Sequence, residues 1–237
     1  MDIKIKEAQK RILSLCAKEA KGFALAGGTA LEIYYLHHRF SWDLDFFSPL
    51  YNLSEIEHLV SVFEKATHKK VTLESELRMS GKAKVRFYSM PVKGASRPLK
   101  IYFVEDVFFP KPTIQKNEGV RVYSVENIYL QKIMAMSGTR PQTDEVGRPL
   151  HQGRNEARDA FDVYMLSKRI QPLHKFLHKV STDAQKGIVL WYRTFSRQDL
   201  KLTLLDLEIY DQQFNSRELI HHMENEIKLF TKEMLDQ

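Results

Sequence analysis

Two aspartates one residue apart, Asp43 and Asp45, lie in the run Ser41-Trp42-Asp43-Leu44-Asp45-Phe46-Phe47. Side chains alternate between the two faces of an extended strand, so both carboxylates should point to one side while Leu44 and Phe46 face the core. Two neighbouring carboxylates repel each other unless a cation lies between them or one takes a proton. The pair therefore predicts a site for a hard divalent cation, for which Mg²⁺ is the best candidate.

An Asp-x-Asp pair also occurs in surface loops, where both carboxylates are simply solvated. The apolar residues that flank this pair, Leu44, Phe46 and Phe47, argue against a loop. A packed strand would project the two acids together, and this favours the metal site over the solvated pair.

The second chemical signal is Gly27-Gly28-Thr29, which precedes the acid pair between a predicted strand and a predicted helix. Glycine lets a backbone approach a phosphate closely, and the N–H groups that open a helix favour an anion. By itself the run also fits a plain tight turn in which Thr29 caps the helix. Beside a metal pair it predicts an enzyme that handles nucleoside triphosphates, with two-metal phosphoryl transfer as its mechanism.

Further charged residues occur in the second half of the chain. Lys132 lies on a predicted helix, and Arg158, Asp159 and Asp162 lie on the next one. Arg158 and Asp162 are four residues apart and could form a surface pair, while Asp159 and Asp162 share a face. Without further context, a solvated helical face and an exposed lysine explain these residues best.

Apolar periodicity and turn residues predict the elements that position these groups. In chain order they are a helix 3–20, a strand 23–26, a helix 30–38, a strand 43–47, a helix to 66 opened by a Ser54–Glu57 capping box, strands 71–77, 83–88 and 99–104, an edge strand 120–123, helices 125–136 and 154–168, and a helical tail with breaks near Ser181 and Ser196. The fold class is therefore α+β. A mixed sheet with flanking helices, residues 1–123, precedes a helical domain, residues 124–237.

Composition is that of an ordinary globular protein, with 43% hydrophobic and 28% charged residues. The 36 basic and 30 acidic residues leave a net charge of +6, which permits RNA or another anionic partner but equally fits a mixed-sign surface. Cys16 reads as a buried thiol on the first helix. The charged N-terminal ten residues and the lack of a long apolar run predict a cytoplasmic protein with no membrane association.

The chain resembles the AbiEii/AbiGii toxin family of nucleotidyltransferases, within the DNA polymerase β superfamily. The resemblance is carried by the glycine turn, by Arg39-Phe40-Ser41-Trp42-Asp43-Leu44-Asp45, by a helix that bears Lys132, and by Arg158-Asp159-Ala160-Phe161-Asp162-Val163. These matches run from residue 23 to about residue 166. They imply a nucleotidyltransferase-like N-terminal sheet.

The resemblance also implies a function. It implies a toxin of a toxin-antitoxin system that transfers a nucleotide from an NTP to an acceptor hydroxyl, often at the 3′ end of tRNA, with an antitoxin as partner. Modification of a protein or small-molecule hydroxyl, and a non-catalytic nucleotide-binding homologue, remain alternatives. The implied metal ligands are Asp43 and Asp45, the other catalytic residues Lys132 and Asp159, and the nucleotide-binding residues Gly27, Gly28, Thr29, Arg39, Ser41 and Arg158.

Two departures from the family pattern are visible. The superfamily usually adds a third carboxylate from a later strand, and here Tyr102 occupies the expected position in 99–104. Asp159, Glu105 or Asp106 could substitute, or activity could be weakened. The loop 137–153 is also longer than the family connection, and its Arg140 and Arg148 are candidates for substrate binding.

Overall fold

The computed structural model describes residues 2–79, 82–138, 142–143, 145–146, 149–150 and 153–236. The helices are α1 Ile3–Glu19, α2 Gly27–Ala30, α3 Leu53–Thr67, α4 Val125–Ser137, α5 Ala157–Arg169, α6 Leu173–Leu177, α7 Thr182–Thr194, α8 Arg197–Leu204 and α9 Ser216–Leu235. A π-helical segment, Leu31–Leu36, continues α2. The strands are β1 Ala24–Ala26, β2 Asp43–Ser48, β3 Thr72–Leu77, β4 Val85–Met90, β5 Leu99–Glu105, β6 Ile114–Asn117, β7 Val120–Tyr123, β8 Gln142–Thr143 and β9 Pro149–Leu150.

The first of two compact units comprises Met1–Tyr35 and Phe40–Ile128 and contains a mixed sheet of the order β3-β4-β5-β2-β1-β7-β6. β2 pairs in parallel with β5, and β1 pairs in parallel with β7, while the other neighbours are antiparallel. Helix α1 packs against β5, β7 and α3. The mixed sheet of the α+β prediction is confirmed, and β2 lies inside it.

Strand β7 is not the edge strand that its sequence suggested. It pairs with β1 on one side and with β6 on the other, so β6 is the edge. The short run of β6, with its polar residues, gives too weak an alternation to be recognised as a strand. The predicted hairpin of β3 and β4 is confirmed by antiparallel pairing, although Ser80 and Gly81 of its turn lie outside the described residues.

The start of helix α3 also differs from its prediction. Asn52 is the N-cap, and its side-chain oxygen accepts a hydrogen bond from the Glu55 N–H at 3.3 Å. The capping box of Ser54 and Glu57 is therefore wrong, because the N-cap lies two residues earlier, at Asn52. Two candidate caps that follow each other closely cannot be separated by residue type alone.

The side chain of Glu55 has a different role, because it binds the backbone just before β1. Its Oε1 accepts hydrogen bonds from the backbone N–H groups of Lys21 and Gly22 at 2.7 and 2.8 Å. A carboxylate that accepts several N–H bonds makes strong, charge-assisted contacts. Glu55 thus anchors α3 to the segment that leads through β1 to Gly27.

The second unit comprises Leu36–Arg39 and Tyr129–Gln237. In it, α9 packs against α6, α7 and α8, and α5 packs against α6, α8 and α9. The predicted breaks in the tail are confirmed, because Ser181 and Ser196 are the N-caps of α7 and α8. These caps accept hydrogen bonds from backbone N–H groups three residues later.

The short segment Leu36–Arg39 was predicted to belong with the N-terminal half. In the structure Arg39 forms a β-bridge with Ile209, and the Tyr210 N–H donates to the His38 carbonyl at 3.0 Å. The compact units therefore divide after Tyr35, after Arg39 and after Ile128. Domains of 1–123 and 124–237 stay a prediction. No helix of the described residues is long and apolar enough to cross a membrane.

Candidate active site

The acid pair lies on β2, whose residues alternate between half-buried and buried along its whole length. Leu44 is fully buried and Phe46 is 1% exposed, so these two side chains face the core. Asp43 and Asp45 are half-buried and share the opposite face of the strand. The strand geometry predicted from the spacing of these residues is confirmed.

Gly27 lies directly against the second of these acids. Its φ of +66° is in the left-handed region, which residues with a side chain rarely adopt. A Cβ atom at this position would stand 2.6 Å from the Asp45 Oδ2 atom, closer than real Cβ atoms come to another heavy atom, so any other residue would displace the Asp45 carboxylate. The position therefore favours glycine, and the structure brings the glycine run and the acid pair together.

Thr29 does not cap a helix as predicted, because α2 already begins at Gly27 and is preceded by Ala26. The Thr29 side chain is fully buried, and its hydroxyl donates a hydrogen bond to the Asp43 carbonyl oxygen. Thr29 therefore ties α2 to the first residue of β2. Gly28 beside it is also buried, and contact of either residue with triphosphate stays a prediction.

Ser41 is held by two side chains that the sequence did not single out. The Ser41 N–H donates to Glu32 Oε2 at 2.8 Å, and its carbonyl accepts from Gln9 Nε2 at 2.8 Å. Glu32 and Gln9 are each 1% exposed, and Lys6 lies 3.2 Å from the other Glu32 oxygen. These contacts fix the backbone two residues before Asp43.

One signal could have identified Gln9. It interrupts the apolar stripe of α1, where Ile5, Ile12 and Cys16 are buried, and a polar residue on such a stripe needs a buried partner. Glu32 gives no comparable signal, because its helix is short and irregular.

Tyr102 stands at the position where a third carboxylate was expected. In the parallel pairing of β2 and β5, Tyr102 is opposite Asp45, and Lys100 is opposite Asp43. The Tyr102 ring stacks on Phe87 of β4, with ring centroids 4.7 Å apart. The face that carries the acid pair thus continues onto β5 with a phenol and an ammonium group.

The two acids that end β5 have other partners. Glu105 accepts from the Lys84 ammonium at 2.9 Å and from the Lys84 N–H at 3.1 Å, and Lys84 lowers the pKa of Glu105. Asp106 is 5% exposed and accepts from the Tyr123 hydroxyl at 2.8 Å. Neither observation supports Glu105 or Asp106 as the missing ligand.

The donor set at Asp43 and Asp45 fits Mg²⁺. This ion keeps several water ligands and is commonly bound by one or two carboxylates together with substrate phosphates. Among the described residues, no group of three or more His, Cys, Asp or Glu side chains could form a cage made of protein ligands alone. Two adjacent carboxylates on one strand face match the open type of site.

A second cluster of predicted site residues lies in the second unit and is centred on Asp162. The Arg39 guanidinium makes a bidentate contact with this carboxylate, in which Nε donates to Oδ1 at 2.7 Å and Nη2 donates to Oδ2 at 2.8 Å. His38 Nε2 lies 2.7 Å from Oδ1, and Lys132 Nζ lies 2.8 Å from Oδ2. Asp162 is completely buried.

The electrostatics of this cluster follow from burial and pairing. Burial by itself would raise the pKa of Asp162, but Arg39, Lys132 and His38 hold that pKa well below its usual range. Burial likewise works to lower the pKa of Lys132, yet the neighbouring carboxylates of Asp159 and Asp162 raise it. Asp162 is therefore an ionised, buried carboxylate held between two buried cations, Arg39 and Lys132.

Lys132 and Asp159 are close partners in this cluster. Lys132 Nζ donates to Asp159 Oδ1 at 2.6 Å, and Arg154 Nη2 lies 3.2 Å from Asp159 Oδ2. Lys132 is 8% exposed and Asp159 is fully buried. The exposed lysine and the solvated helical face favoured by the residues alone are therefore wrong, because α5 turns both of its acids inward.

Arg158 does not pair with Asp162. Its side chain is 44% exposed, and its Nε lies 3.8 Å from Glu156 Oε2. Asp162 takes Arg39, His38 and Lys132 instead, so the predicted i,i+4 pair is wrong. The nucleotide-binding roles of Arg39 and Arg158 stay predictions, as do those of the other site residues. Arg140 and Arg148 lie outside the described residues.

Comparison with solved structures places this fold among nucleotidyltransferases. A protein from H. pylori described as a candidate nucleotidyltransferase matches with a TM-score of 0.61 and 18% identity, over 99% of this chain and 96% of the other. JHP933 from Helicobacter pylori matches with a TM-score of 0.58 and 17% identity, over 99% and 95%. At these identities the likeness concerns the fold.

Sequence comparison identifies the family. No curated protein matches the chain significantly. The model of the family described as "Nucleotidyl transferase AbiEii toxin, Type IV TA system" matches residues 11–237, almost the whole chain. The chain therefore belongs to the AbiEii family of nucleotidyltransferase toxins.

Proposed function

We propose that this protein is a Mg²⁺-dependent nucleotidyltransferase that transfers a nucleotide from an NTP to an acceptor hydroxyl. The observation that carries the proposal is the contact between Gly27 and the Asp45 carboxylate, with Asp43 on the same strand face. A bare backbone that can approach polyphosphate thus lies beside two carboxylates that suit a divalent cation.

Each group then has a defined task. Asp43 and Asp45 hold the metal, which supplies charge neutralisation and activation of the acceptor hydroxyl when bound. Gly27 and Gly28 present backbone to the triphosphate. Thr29 holds the start of β2 in place by donating a hydrogen bond to the Asp43 carbonyl oxygen. Positioning and electrostatic stabilisation account for most of the catalysis in such transfers.

Lys132 and Asp159 are proposed as the remaining catalytic residues. An ammonium group neutralises phosphate charge well, and a carboxylate can accept the proton of an acceptor hydroxyl. Their mutual hydrogen bond and the Asp162 cluster hold both side chains in fixed positions. Arg39 acts in this scheme by positioning Asp162.

The proposed acceptor is the 3′ end of tRNA, and the family makes an antitoxin the expected protein partner. The net charge of +6 supports an RNA acceptor, because basic residues supply most of the non-specific affinity for nucleic acid. A protein hydroxyl and a small-molecule hydroxyl are the competing acceptors.

The test is the transfer of label from α-³²P-NTPs in the presence of Mg²⁺, with total tRNA, protein extract and small-molecule acceptors in separate reactions. Label in the tRNA supports the full proposal, and label confined to another fraction replaces tRNA by that acceptor. Chelation of the metal with EDTA should abolish transfer in every fraction.

The matched variants are Asp43→Asn and Asp45→Asn, with Glu57→Gln as the control. Glu57 lies on α3 of the same unit and is exposed, so its charge can be removed without touching β2. We expect at least a hundredfold loss of transfer for each aspartate variant and an unchanged rate for the control. Equal rates in all three would overturn the proposal.

A specific observation keeps a non-catalytic nucleotide-binding homologue as the second candidate, because Tyr102 faces Asp45 where a third acid was expected. Isothermal titration of the wild-type chain with Mg²⁺ and each NTP, alongside the transfer assay, separates the two. Tight NTP binding without transfer to any acceptor would favour the binding protein.

A further inference from the structure

The sheet face that carries the acid pair also carries a pair of aromatic rings, within the first unit. In the strand pairing, Tyr102 of β5 lies opposite Asp45, and Phe87 of β4 lies opposite Tyr102. Ser75 of the edge strand β3 lies opposite Phe87. Residues directly opposite each other project from the same face of a sheet. These four side chains therefore form one row across the sheet, which we call the Asp45–Ser75 row.

The two rings of the Asp45–Ser75 row lie outside the hydrophobic core. Tyr102 and Phe87 are half-buried, whereas the residues next to them along their strands, Phe103 and Tyr88, are buried. Side chains alternate along a strand, so Phe103 and Tyr88 face the core and the row faces away from it. Aromatic rings on such a face offer apolar surface on which a flat ring can stack.

The stacked rings define the direction in which a further ring would be added. Their centroids are 4.7 Å apart and their planes differ by 10°. This separation matches the spacing of about 4.8 Å between neighbouring strands, so the stack runs along the Asp45–Ser75 row. The face of Phe87 that points away from Tyr102 is therefore directed toward β3. Ser75 is small and exposed there, and it leaves room above β3 for a third ring.

A cation lies beside the stacked rings. Lys100 precedes Tyr102 by two residues on β5, so the two side chains project from the same face. The Lys100 Nζ atom lies 5.9 Å from the centroid of the Phe87 ring, within the range of a cation–π contact. An ammonium group also binds phosphate oxygens through charge-assisted hydrogen bonds. A ligand that combines flat rings with phosphates would thus find a partner for each on this face.

We propose that an unpaired base of the acceptor RNA stacks on Phe87, above Ser75, as the third ring of this stack. Proteins that bind single-stranded nucleic acid combine aromatic stacking surfaces with cations along the backbone. Every base has a π-face, so a stacking contact of this kind holds the strand without selecting its sequence.

The length of the Asp45–Ser75 row favours an RNA strand over a single nucleotide. Three strand spacings separate β3 from β2, so the backbones at Ser75 and Asp45 are about 14 Å apart. A strand of several nucleotides can reach from Phe87 to the acid pair, whereas the base of an NTP is joined to its phosphates by a single sugar. The stacked base therefore lies upstream of the nucleotide that carries the acceptor hydroxyl.

This inference deepens the proposed function, and its choice of RNA as the ligand rests on that proposal. Stacking itself requires neither a divalent metal nor transfer of a nucleotide. The measurements are therefore made on the full chain with EDTA present, so that a failure of catalysis and a failure of stacking are separate results.

The probes are short single-stranded RNAs that each carry one 2-aminopurine base, whose fluorescence falls when the base stacks. The labelled base is moved one position at a time from the 3′ end. We expect wild type to quench it at a position upstream of the terminal base. Phe87→Leu keeps apolar bulk but removes the π-face and should abolish this quenching. Phe108→Leu, at an exposed phenylalanine that follows β5, is the control and should behave as wild type.

A double-mutant cycle separates contact with the base from a role of Phe87 in the sheet alone. A second RNA lacks the base at the quenched position. Wild type should bind this base-free RNA about tenfold more weakly than the intact one, in line with the usual strength of base–aromatic stacking. Phe87→Leu should bind both RNAs equally weakly. If Phe87 only stabilised the sheet, its replacement would weaken both RNAs by the same factor, and the proposal would be wrong.

Ser75→Leu tests the same place with the Phe87 ring intact. The new side chain fills the space beside the ring, and the fold should tolerate it because Ser75 is exposed on an edge strand. We expect it to abolish quenching and to weaken binding of the intact RNA severalfold. The proposal is overturned by unchanged quenching in Phe87→Leu or Ser75→Leu, by quenching confined to the terminal base, or by a wild type that binds no RNA. It is also overturned if 2-aminopurine riboside triphosphate, the single-nucleotide control, shows quenching that depends on Phe87.

Discussion

The contact between Gly27 and Asp45 joins the two chemical signals of the sequence in one place. At Gly27 the φ of +66° would strain any other residue, and the Asp45 carboxylate occupies the space that a Cβ atom would need. The backbone conformation at residue 27 and the lack of space for a Cβ atom therefore both favour glycine.

Gly27→Ala should consequently disable the site beyond what backbone strain explains. We expect at least a hundredfold loss of NTP transfer, because the new methyl group displaces the Asp45 carboxylate. The matched control is Gly94→Ala, since Gly94 has φ of +80° but its Cβ would meet nothing closer than 4.0 Å.

Both alanine variants should lose stability by about 1 to 2 kcal/mol through backbone strain, measured by urea unfolding. Only Gly27→Ala should lose transfer. Transfer that survives in Gly27→Ala, or that falls equally in both variants, would contradict the assigned geometry.

The sequence alone does not tell which of the two arginines, Arg39 or Arg158, is buried in an ion pair. Arg39 is 4% exposed and binds Asp162 with two hydrogen bonds, whereas Arg158 is exposed and its ion pair with Glu156 is long, at 3.8 Å. Removing one partner of a buried ion pair leaves an uncompensated charge.

Arg39→Met should therefore destabilise the protein by about 3 kcal/mol, because breaking a buried pair costs roughly that much. Arg158→Met should change stability by less than about 0.5 kcal/mol, as is usual at exposed positions. Urea unfolding curves give both values, and similar losses for the two variants would show that Arg39 does not hold a buried charge.

Residue type and spacing predicted the acids of β2 well, because strand alternation is a local property. The partners of Asp162 could not be predicted, since His38 and Arg39 lie more than 120 positions away along the chain. The i,i+4 rule offered Arg158 as a partner, but it describes solvated helices and does not apply to a buried face. Gln9 and Ser41 are 32 positions apart, so their hydrogen bond could not be predicted from local spacing either.

Helix α3 illustrates how one element positions another. Glu55 binds backbone N–H groups just before β1, and β1 leads directly to Gly27. Most helices and strands were predictable from apolar periodicity, whereas the start of α3 and the edge position of β6 were not. The start of α3 depends on which of two neighbouring polar residues caps the helix, and β6 is too short and polar for its alternation to be recognised.

Glu55→Ala should lower stability by roughly 1 to 3 kcal/mol, because hydrogen bonds to a charged group contribute about that much. Glu57→Ala on the same helix is the control, since Glu57 is exposed and its contact with Arg86 is long, at 3.3 Å. Thermal or urea unfolding measures the stability of both variants. A Glu57 variant as unstable as the Glu55 variant would contradict the anchoring role of Glu55.

The stability of the whole chain should depend on pH through two histidines, the buried His38 and the half-buried His222. Burial lowers the pKa of His38 and of His222, so in the folded chain both take up a proton at lower pH than in the unfolded chain, where histidine titrates near pH 6.5. Stability should therefore fall as the pH drops below about 6.5. Asp162, whose pKa is lowered, keeps its contribution until the pH falls below its ordinary value near 4.

Urea unfolding between pH 7.5 and 5 tests this dependence. In wild type the free energy of unfolding should decrease steadily below pH 6.5. His38→Gln should show a shallower decrease, with the part due to His222 remaining. An identical slope in wild type and variant would mean that His38 does not stay neutral in the folded chain.

The central claim is that Asp43 and Asp45 together hold a divalent cation that receives the triphosphate of an NTP. Electron paramagnetic resonance of Mn²⁺, titrated into the protein with a non-hydrolysable NTP analogue, measures that ion directly. The account predicts Mn²⁺ bound by wild type and by Glu57→Gln, and binding at least tenfold weaker in Asp43→Asn and Asp45→Asn. Unchanged Mn²⁺ affinity in the two aspartate variants would contradict it.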